Sequence, residues 1–210
     1  MRKKQKTEND VATKRVRMLY VMKEGFFDNA VLAITNQPLY YKAFMKSLEE
    51  EGYELIGYIR KSKGKENDDV RVRLLETMAI RLTERYSVKT FYASPFSNSM
   101  DEIASRDLCE KSKSLVKRLN NVSGSAQDMM SHIKAANTNI CLIVIDFAGL
   151  SRDSEDIRSF VRSHPKLKKI SVDRLPINNM VTTYNREDIL LDHKFMKDFD
   201  CRKAPIQRSL

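Results

Sequence analysis

Apolar residues recur along most of the chain in a pattern typical of strands that alternate with helices. Residues 54–60 predict a first strand, and residues 70–86 carry apolar side chains at helical spacing, which predicts an amphipathic helix. Three further segments predict strands: 88–93, 140–146 and 168–172. Because strands and helices alternate, we expect an α/β fold with a mainly parallel, doubly wound sheet of four strands and flanking helices.

Further helices are predicted between and after these strands. Residues 100–119 predict helix in part, and Ser125–Asp128 fits a capping box that opens a helix. Residues 153–163 and 186–199 predict the last two helices. We expect these helices to cover the sheet.

Residues 18–52 predict an N-terminal helical element ahead of an α/β domain of residues 53–200. The breaker Thr35–Pro38 separates two short helical stretches, since proline interrupts the hydrogen bonds of a helix. The second stretch, 39–51, has four apolar residues near one face: Leu39, Ala43, Phe44 and Leu48. A helical hairpin packed on the main domain is the favoured interpretation, and a DNA-binding helix-turn-helix is the alternative.

The positive charge of the chain lies in its two ends. Of a net charge of +10, residues 1–17 carry +5 and residues 201–210 carry +3, which leaves +2 for residues 18–200. We expect both ends to be disordered basic tails. Three residues of the first tail are candidates for contacts with nucleic-acid phosphate: Arg2, Lys3 and Lys4. A solvated terminus without a partner is an equally good interpretation.

Composition narrows the class of protein. A chain of 210 residues with 41% hydrophobic residues suits one domain with appendages and excludes wholesale disorder. No apolar run approaches the ~18 residues that span a bilayer, and the N-terminus lacks the apolar segment of a secretory signal. The 3 cysteines are far apart and predict neither a disulfide framework nor a zinc pair. We therefore expect an intracellular protein, nuclear if the host is a eukaryote.

Parallel sheets bind ligands outside the carboxyl ends of their strands. The segments that follow the first three predicted strands are 60–65, 94–99 and 146–152. Two motifs lead into these segments: GYIRKS at residues 57–62 and LIVIDFAGLSRD at residues 142–153. The two motifs resemble the first strand and the third-strand loop of the serine recombinases, the resolvase/invertase family, and the resemblance covers about residues 53–175. It implies a resolvase-like fold.

The resemblance implies a role for each matched residue. Ser62 stands at the position of the nucleophile that attacks a DNA phosphodiester, and Arg60 and Arg152 match arginines of the family. Arginine suits this chemistry because its planar guanidinium binds phosphate oxygens and stabilises the transition state without a metal. Lysines beside the nucleophile are candidates for further DNA contacts: Lys61, Lys63 and Lys65.

The match to the family is incomplete. Ala148 and Gly149 replace the aspartate and the arginine of the third-strand loop. For a further family arginine two alignments are open, one in which Arg106 supplies it and one in which residues 123–128 match and Met129 replaces it. The second fits the spacing to the third strand slightly better. The family's loop glutamine, its long dimer-forming helix and its DNA-reading module are not evident.

These features predict a degenerate serine-recombinase-like protein of mobile-element origin that binds DNA without recombining it. The first alternative is an active serine recombinase or transposase that links Ser62 to DNA, with Arg106 in place of the missing arginine. The second is a protein-interaction module without a nucleic-acid role. DNA is the expected partner and a homodimer is compatible with the family. No membrane partner, cofactor or metal is expected.

Overall fold

The computed structural model describes most of the chain: residues 3–5, 14–16, 23–174, 181–191 and 196–200. The chain divides into two compact units, Met1–Asn36 and Gln37–Leu210. The second unit contains the sheet and the motifs that resemble the serine recombinases. No helix among the described residues combines the length and the apolarity that crossing a bilayer requires.

The first unit contains a two-stranded antiparallel ribbon. Strand β1 (Lys3–Gln5), which carries two of the basic candidates, pairs with β2 (Lys14–Val16). The expectation of a disordered N-terminal tail does not hold for these residues. Hydrogen bonds between two nearby strands need no apolar periodicity, so the composition of the segment did not reveal them. Arg2 and the C-terminal tail, residues 201–210, lie outside the described residues.

One helix occupies the region where two were predicted. Helix α1 (Phe27–Glu50) continues through Pro38. The helical hairpin and the helix-turn-helix are therefore both wrong, because no turn separates two helices here. A proline within a helix removes one hydrogen bond and costs about 3 kcal/mol. Packing of the turns that follow the proline offsets this cost.

The buried face of α1 matches the predicted one in part. Leu48 is buried and Phe44 packs against the same apolar core, as predicted, whereas Leu39 is 66% exposed. The hydroxyl of Tyr41 donates a hydrogen bond of 2.5 Å to the carbonyl of Val181. These contacts fix the C-terminal half of α1.

Five strands form the central sheet: β3 (Tyr53–Arg60), β4 (Thr90–Ser94), β5 (Asn139–Ile145), β6 (Leu167–Asp173) and β7 (Val181–Asn185). Their order is β4-β3-β5-β6-β7. The first four are parallel, and β7 runs antiparallel to β6. The α/β class and the mainly parallel sheet are confirmed, with five strands instead of four. Strand β7 was missed because burial does not alternate along it, so its sequence lacks the period of two.

The described residues form six further α-helices: α2 (Asp68–Tyr86), α3 (Glu110–Val116), α4 (Ala126–Ala135), α5 (Phe147–Leu150), α6 (Ser154–Ser163) and α7 (Arg186–Leu191). The amphipathic helix α2 is confirmed, with Asn67 as its N-cap. The capping box of Ser125 and Asp128 is confirmed at the start of α4.

Residues 100–119 are helical in part, as predicted. They form a 3-10 turn at Ile103–Ser105 and then α3, and Asp107 between them adopts a left-handed conformation with φ of +61°. Where one helix was predicted over 186–199, α7 comprises Arg186–Leu191.

Alternate residues of β3 enter two apolar cores, one on each face of the sheet. Ile56 and Tyr58 pack with residues of α4 and α6, and Leu55 and Ile59 pack with residues of α1 and α2. Strand β3 lies between β4 and β5, and the strand order reverses there. Ligands of parallel sheets bind in the crevice outside the carboxyl ends of the strands at such a reversal. Arg60 ends β3 at this point.

Candidate functional site

Three loops meet at the carboxyl end of β3. The N–H of Lys61 donates to the carbonyl of Ser94 at 2.9 Å, and the N–H of Ser97 donates to the carbonyl of Lys61 at 3.2 Å. The loop after β5 joins them where the N–H of Arg152 donates to the carbonyl of Ser99 at 2.9 Å. The three segments predicted to carry chemistry therefore lie at one edge of the sheet.

Arg60 and Ser62 of the first motif are in contact. Nη1 of Arg60 donates to Oγ of Ser62 at 3.0 Å, and Ser62 is exposed. The Arg60 side chain is only 9% exposed, and it is held by hydrogen bonds to the carbonyls of Ala148 (3.1 Å from Nε) and Ser97 (2.5 Å from Nη1). Arg60 thus presents the Ser62 hydroxyl at the surface while its own charge stays largely buried.

A strained turn after β5 holds the third loop against Arg60. Asp146 has a φ of +61°, which is uncommon for a residue other than glycine. Its Oδ1 accepts a hydrogen bond of 2.8 Å from the N–H of Phe147. The next residue, Ala148, turns its carbonyl to Nε and Nη2 of Arg60. A Cβ at Gly149 would meet no atom within 4 Å, so a longer side chain would have open space at this position.

Arg152 is half-buried at this edge. Its Nε is buried and has no hydrogen-bond partner among the described residues. Its side chain also forms no ion pair with any of these residues. Burial and, to a smaller extent, the positive charges of Arg106 and Arg152 lower the pKa of Arg60 to about 10. Arg60 therefore remains protonated at neutral pH, and positive charge accumulates beside Ser62.

Arg106 is buried beside Tyr58 and is fully engaged by the protein. Its Nη1 donates to the hydroxyl of Tyr58 at 3.0 Å and to the carbonyl of Leu150 at 2.6 Å. Nε and Nη2 both donate to the carbonyl of Asp101. Met129, which takes the place of the arginine in the other alignment, is buried in an apolar core. Of the two candidate positions, the fold brings Arg106 to this edge, where it holds the loops together.

Arg71 of α2 is a further buried arginine of the site and was not predicted. Its Nη1 donates to the carbonyls of Ser62 (2.6 Å) and Pro95 (3.0 Å), and its Nη2 donates to Oε2 of Glu66 at 3.1 Å. The sequence does contain a signal for it. Arg71 lies four residues before Leu75 on the buried face of an amphipathic helix, and a charged residue on such a face indicates a buried ion pair.

The three candidate lysines of the first loop differ in their surroundings. Nζ of Lys61 lies 2.7 Å from Oε1 of Glu66, and Nζ of Lys63 lies 3.1 Å from Oδ2 of Asp101. Lys65 is exposed. Of these three lysines, Lys65 can therefore bind an external anion without breaking an ion pair, whereas the other two cannot.

The groups at this edge are suited to binding negative charge. The hydroxyl of Ser62 accepts a hydrogen bond from Arg60, and no carboxylate or imidazole among the described residues is bonded to Ser62 as a base that could remove its proton. The described residues contain no group of three or more His, Cys, Asp or Glu side chains that could hold a metal ion. Guanidinium, ammonium and hydroxyl donors lie at this edge together with the carboxylates of Glu66 and Asp101.

Comparison with known proteins adds no family to this description. No protein-family model, curated protein or solved structure matches the chain. A functional assignment therefore rests on the motifs and on the geometry of the edge.

Proposed function

We propose that the protein is a divergent relative of the serine recombinases, of mobile-element origin, that binds DNA at the carboxyl edge of its sheet and does not cut it. The observation that carries the proposal is the 3.0 Å hydrogen bond from Arg60 to the exposed Ser62. It lies within the motif that resembles the family's nucleophile strand. The proposal includes a doubly wound, resolvase-like fold.

Two features favour a phosphate as the ligand. The buried Nε of Arg152 has no partner among the described residues, and an unsatisfied buried donor costs about 1–3 kcal/mol. A phosphate oxygen would satisfy this donor once the half-buried side chain of Arg152 turns outward, and the exposed hydroxyl of Ser62 can donate to a second oxygen. The exposed Lys65 adds positive charge. Contacts of this kind do not read base sequence, so the proposed binding is non-specific.

Two other features disfavour strand cleavage. Arg60 and Arg106 use their donors mainly on backbone carbonyls, so they cannot bind a phosphate without movement of the loops. Ala148 and Gly149 provide no charged group where the family has an aspartate and an arginine. Loss of one electrostatic contact to a transition state typically lowers the rate by ~10²–10³.

A salt titration of binding to a DNA duplex tests the phosphate contact. The logarithm of the binding constant falls linearly with the logarithm of salt concentration, with a slope of about 0.9 per phosphate contact. Arg152→Gln should remove about one phosphate contact and so lower the magnitude of this slope by about 0.9. Arg162→Gln removes the same charge from the exposed last turn of α6 and should change the slope little. Equal effects of the two substitutions would contradict the proposed site.

Covalent trapping tests the absence of cleavage. Incubation with supercoiled and nicked DNA, followed by denaturation, should give no protein–DNA adduct. Ser62→Ala is compared with Ser131→Ala, which removes an exposed hydroxyl from α4. An adduct that is lost only in Ser62→Ala would establish an active serine recombinase instead.

Two alternatives each have one observation in their favour. The exposed Ser62 bonded to Arg60 also fits an active recombinase in which Arg106 replaces the missing arginine. Exposed side chains on α1, Leu39 (66%) and Tyr40 (69%), favour a protein-interaction module. Such a module would show no salt-dependent binding to DNA.

A further inference from the structure

The carboxylate of Glu66 bridges two cations beside Ser62. Its Oε1 lies 2.7 Å from Nζ of Lys61, and its Oε2 lies 3.1 Å from Nη2 of Arg71. Each carboxylate oxygen meets a different cation, as two oxygens of a phosphate held by lysine and arginine would. Arg71 also donates to the carbonyl of Ser62 at 2.6 Å. The cradle formed by Lys61 and Arg71 therefore borders the proposed DNA site.

The cradle holds a positive charge that requires an anion. The Arg71 side chain is 1% exposed, and its Nε has no hydrogen-bond partner among the described residues. The ring centroid of Phe96 lies 5.1 Å from the Arg71 guanidinium carbon and 4.5 Å from Nζ of Lys111, which is itself paired with Asp68 at 3.6 Å. A buried charge left without its partner is strongly destabilising. Glu66 supplies the balancing negative charge.

Gly64 provides the space in which this carboxylate lies. A Cβ at Gly64 would lie closer to Oε2 of Glu66 than non-bonded heavy atoms can approach. Glu66 itself is 30% exposed, and its side chain can swing into solvent. A methyl group at Gly64 would therefore displace the carboxylate without changing the charge of the protein.

We propose that Glu66 is an internal substitute for a phosphate: it closes an anion site formed by Lys61 and Arg71, and a phosphate group opens the site by displacing the carboxylate. This inference rests on the proposed function, since it names the group that a DNA phosphate must displace at the same edge. The hydrogen bond from Lys61 holds the pKa of Glu66 below its usual range. The carboxylate is therefore ionised at neutral pH, and the competition is between two anions.

Thermal unfolding of the full chain in increasing inorganic phosphate tests the inference, because a ligand that binds only the folded state raises the melting temperature. Glu66→Gln removes the internal anion, and Gly64→Ala displaces it at constant charge. We expect both variants to bind phosphate about tenfold tighter than the unmodified chain, the scale of one charge-assisted hydrogen bond. Glu110→Gln is the control, because Glu110 pairs with Lys113 on the exposed surface of α3; it should behave as the unmodified chain.

The inference is overturned if Glu66→Gln binds phosphate no tighter than Glu110→Gln, or if Gly64→Ala gives no gain. A parallel titration with a DNA duplex separates this inference from the proposed function. Tighter phosphate binding by both variants without any DNA binding would retain the anion site and refute the DNA-binding role. The opposite result is DNA binding that is lost in Arg152→Gln, together with no tighter phosphate binding in Glu66→Gln or Gly64→Ala. It would retain the DNA-binding role and refute Glu66 as an internal substitute for phosphate.

Discussion

At the scale of single residues, Gly149 leaves open space at a position that the resemblance to the serine recombinases aligns with an arginine. A Cβ at this position would meet no atom within 4 Å, and the backbone is not in the left-handed region that favours glycine. A long side chain can therefore be added without strain. The position directly follows Ala148, whose carbonyl contacts Arg60.

Gly149→Arg should consequently strengthen DNA binding. A guanidinium at this position can add a phosphate contact, which should steepen the salt dependence by about 0.9 in the logarithmic slope. Gly25→Arg is the matched control, because a Cβ at Gly25 also meets nothing within 4 Å and the added charge is the same. Equal gains in the two variants, measured by salt titration, would indicate a general charge effect and not a site at this edge.

Glu66 makes stability depend on pH in a defined direction. Its pKa is lowered in the folded protein, first by the hydrogen bond from Lys61. A lowered folded pKa gives a stabilisation that is present above the unfolded value and is lost as the pH falls through the folded value. The difference in unfolding free energy between the unmodified chain and Glu66→Gln should therefore be largest at neutral pH and shrink in acid. Denaturant titrations at several pH values measure it, and a difference that grows in acid would contradict this account.

The motifs located the central residues of the site but not their partners. Arg60, Ser62 and Arg152 could be predicted because Arg60 ends a strand and the other two lie in the segments that follow strands. Arg71 has a signal in its place on the buried face of α2, but no family pattern identifies Glu66 as the partner that this chain supplies from its own loop. Contacts of this kind depend on side-chain packing and become visible only in three dimensions.

At the scale of elements, Pro38 weakens a helix that nevertheless continues through it. The proline lacks the N–H that would donate to the carbonyl four residues earlier, and its side chain is exposed. The following turns are fixed by Met45 and Leu48 in the core.

Pro38→Ala should accordingly raise the free energy of unfolding by about 1–3 kcal/mol, since alanine restores the hydrogen bond and favours helix. Lys42→Ala changes an exposed residue of the same helix and should alter stability by no more than about 0.5 kcal/mol. Chemical denaturation measures both variants. A loss of stability in Pro38→Ala would show that the proline is required by the conformation of α1.

Elements whose apolar residues recur at a regular spacing were predictable from the sequence. Elements whose conformation depends on tertiary contacts were not. Helix α2 repeats its apolar residues at helical spacing and was predicted nearly to its ends. The sequence predicted two helices in place of α1 because proline usually interrupts a helix. The packing of the later turns, which keeps α1 continuous, could not be predicted from the sequence. The conformation of Asp107, which ends the preceding helical turn, depends on carboxylate hydrogen bonds to Ser94 and Ser112 from other parts of the chain.

At the scale of the whole molecule, half of the net charge lies in a segment of the sequence that contributes no residue to the central sheet. Residues 1–17 carry +5 of the net +10, and the described apolar cores are formed by residues 45–199. Removal of the first segment should leave the sheet folded while much of the non-specific attraction to DNA is lost.

Deletion of residues 1–17 should therefore weaken non-specific DNA binding and flatten its salt dependence, because several phosphate contacts are lost together. The melting temperature of the remaining chain reports whether the sheet is intact. Unchanged affinity with an unchanged salt slope would show that the sheet itself carries nearly all of the binding. That result would favour the active-recombinase alternative.

The central claim is that DNA lies against the edge formed by the three loops after β3, β4 and β5. Amide hydrogen exchange of the full chain, with and without a saturating DNA duplex, tests it most directly, because a bound phosphate backbone slows the exchange of the amides that it covers. We predict added protection at residues 61–67, 95–101 and 147–153. Protection confined to residues 1–17, with no change in these three loops, would contradict the claim.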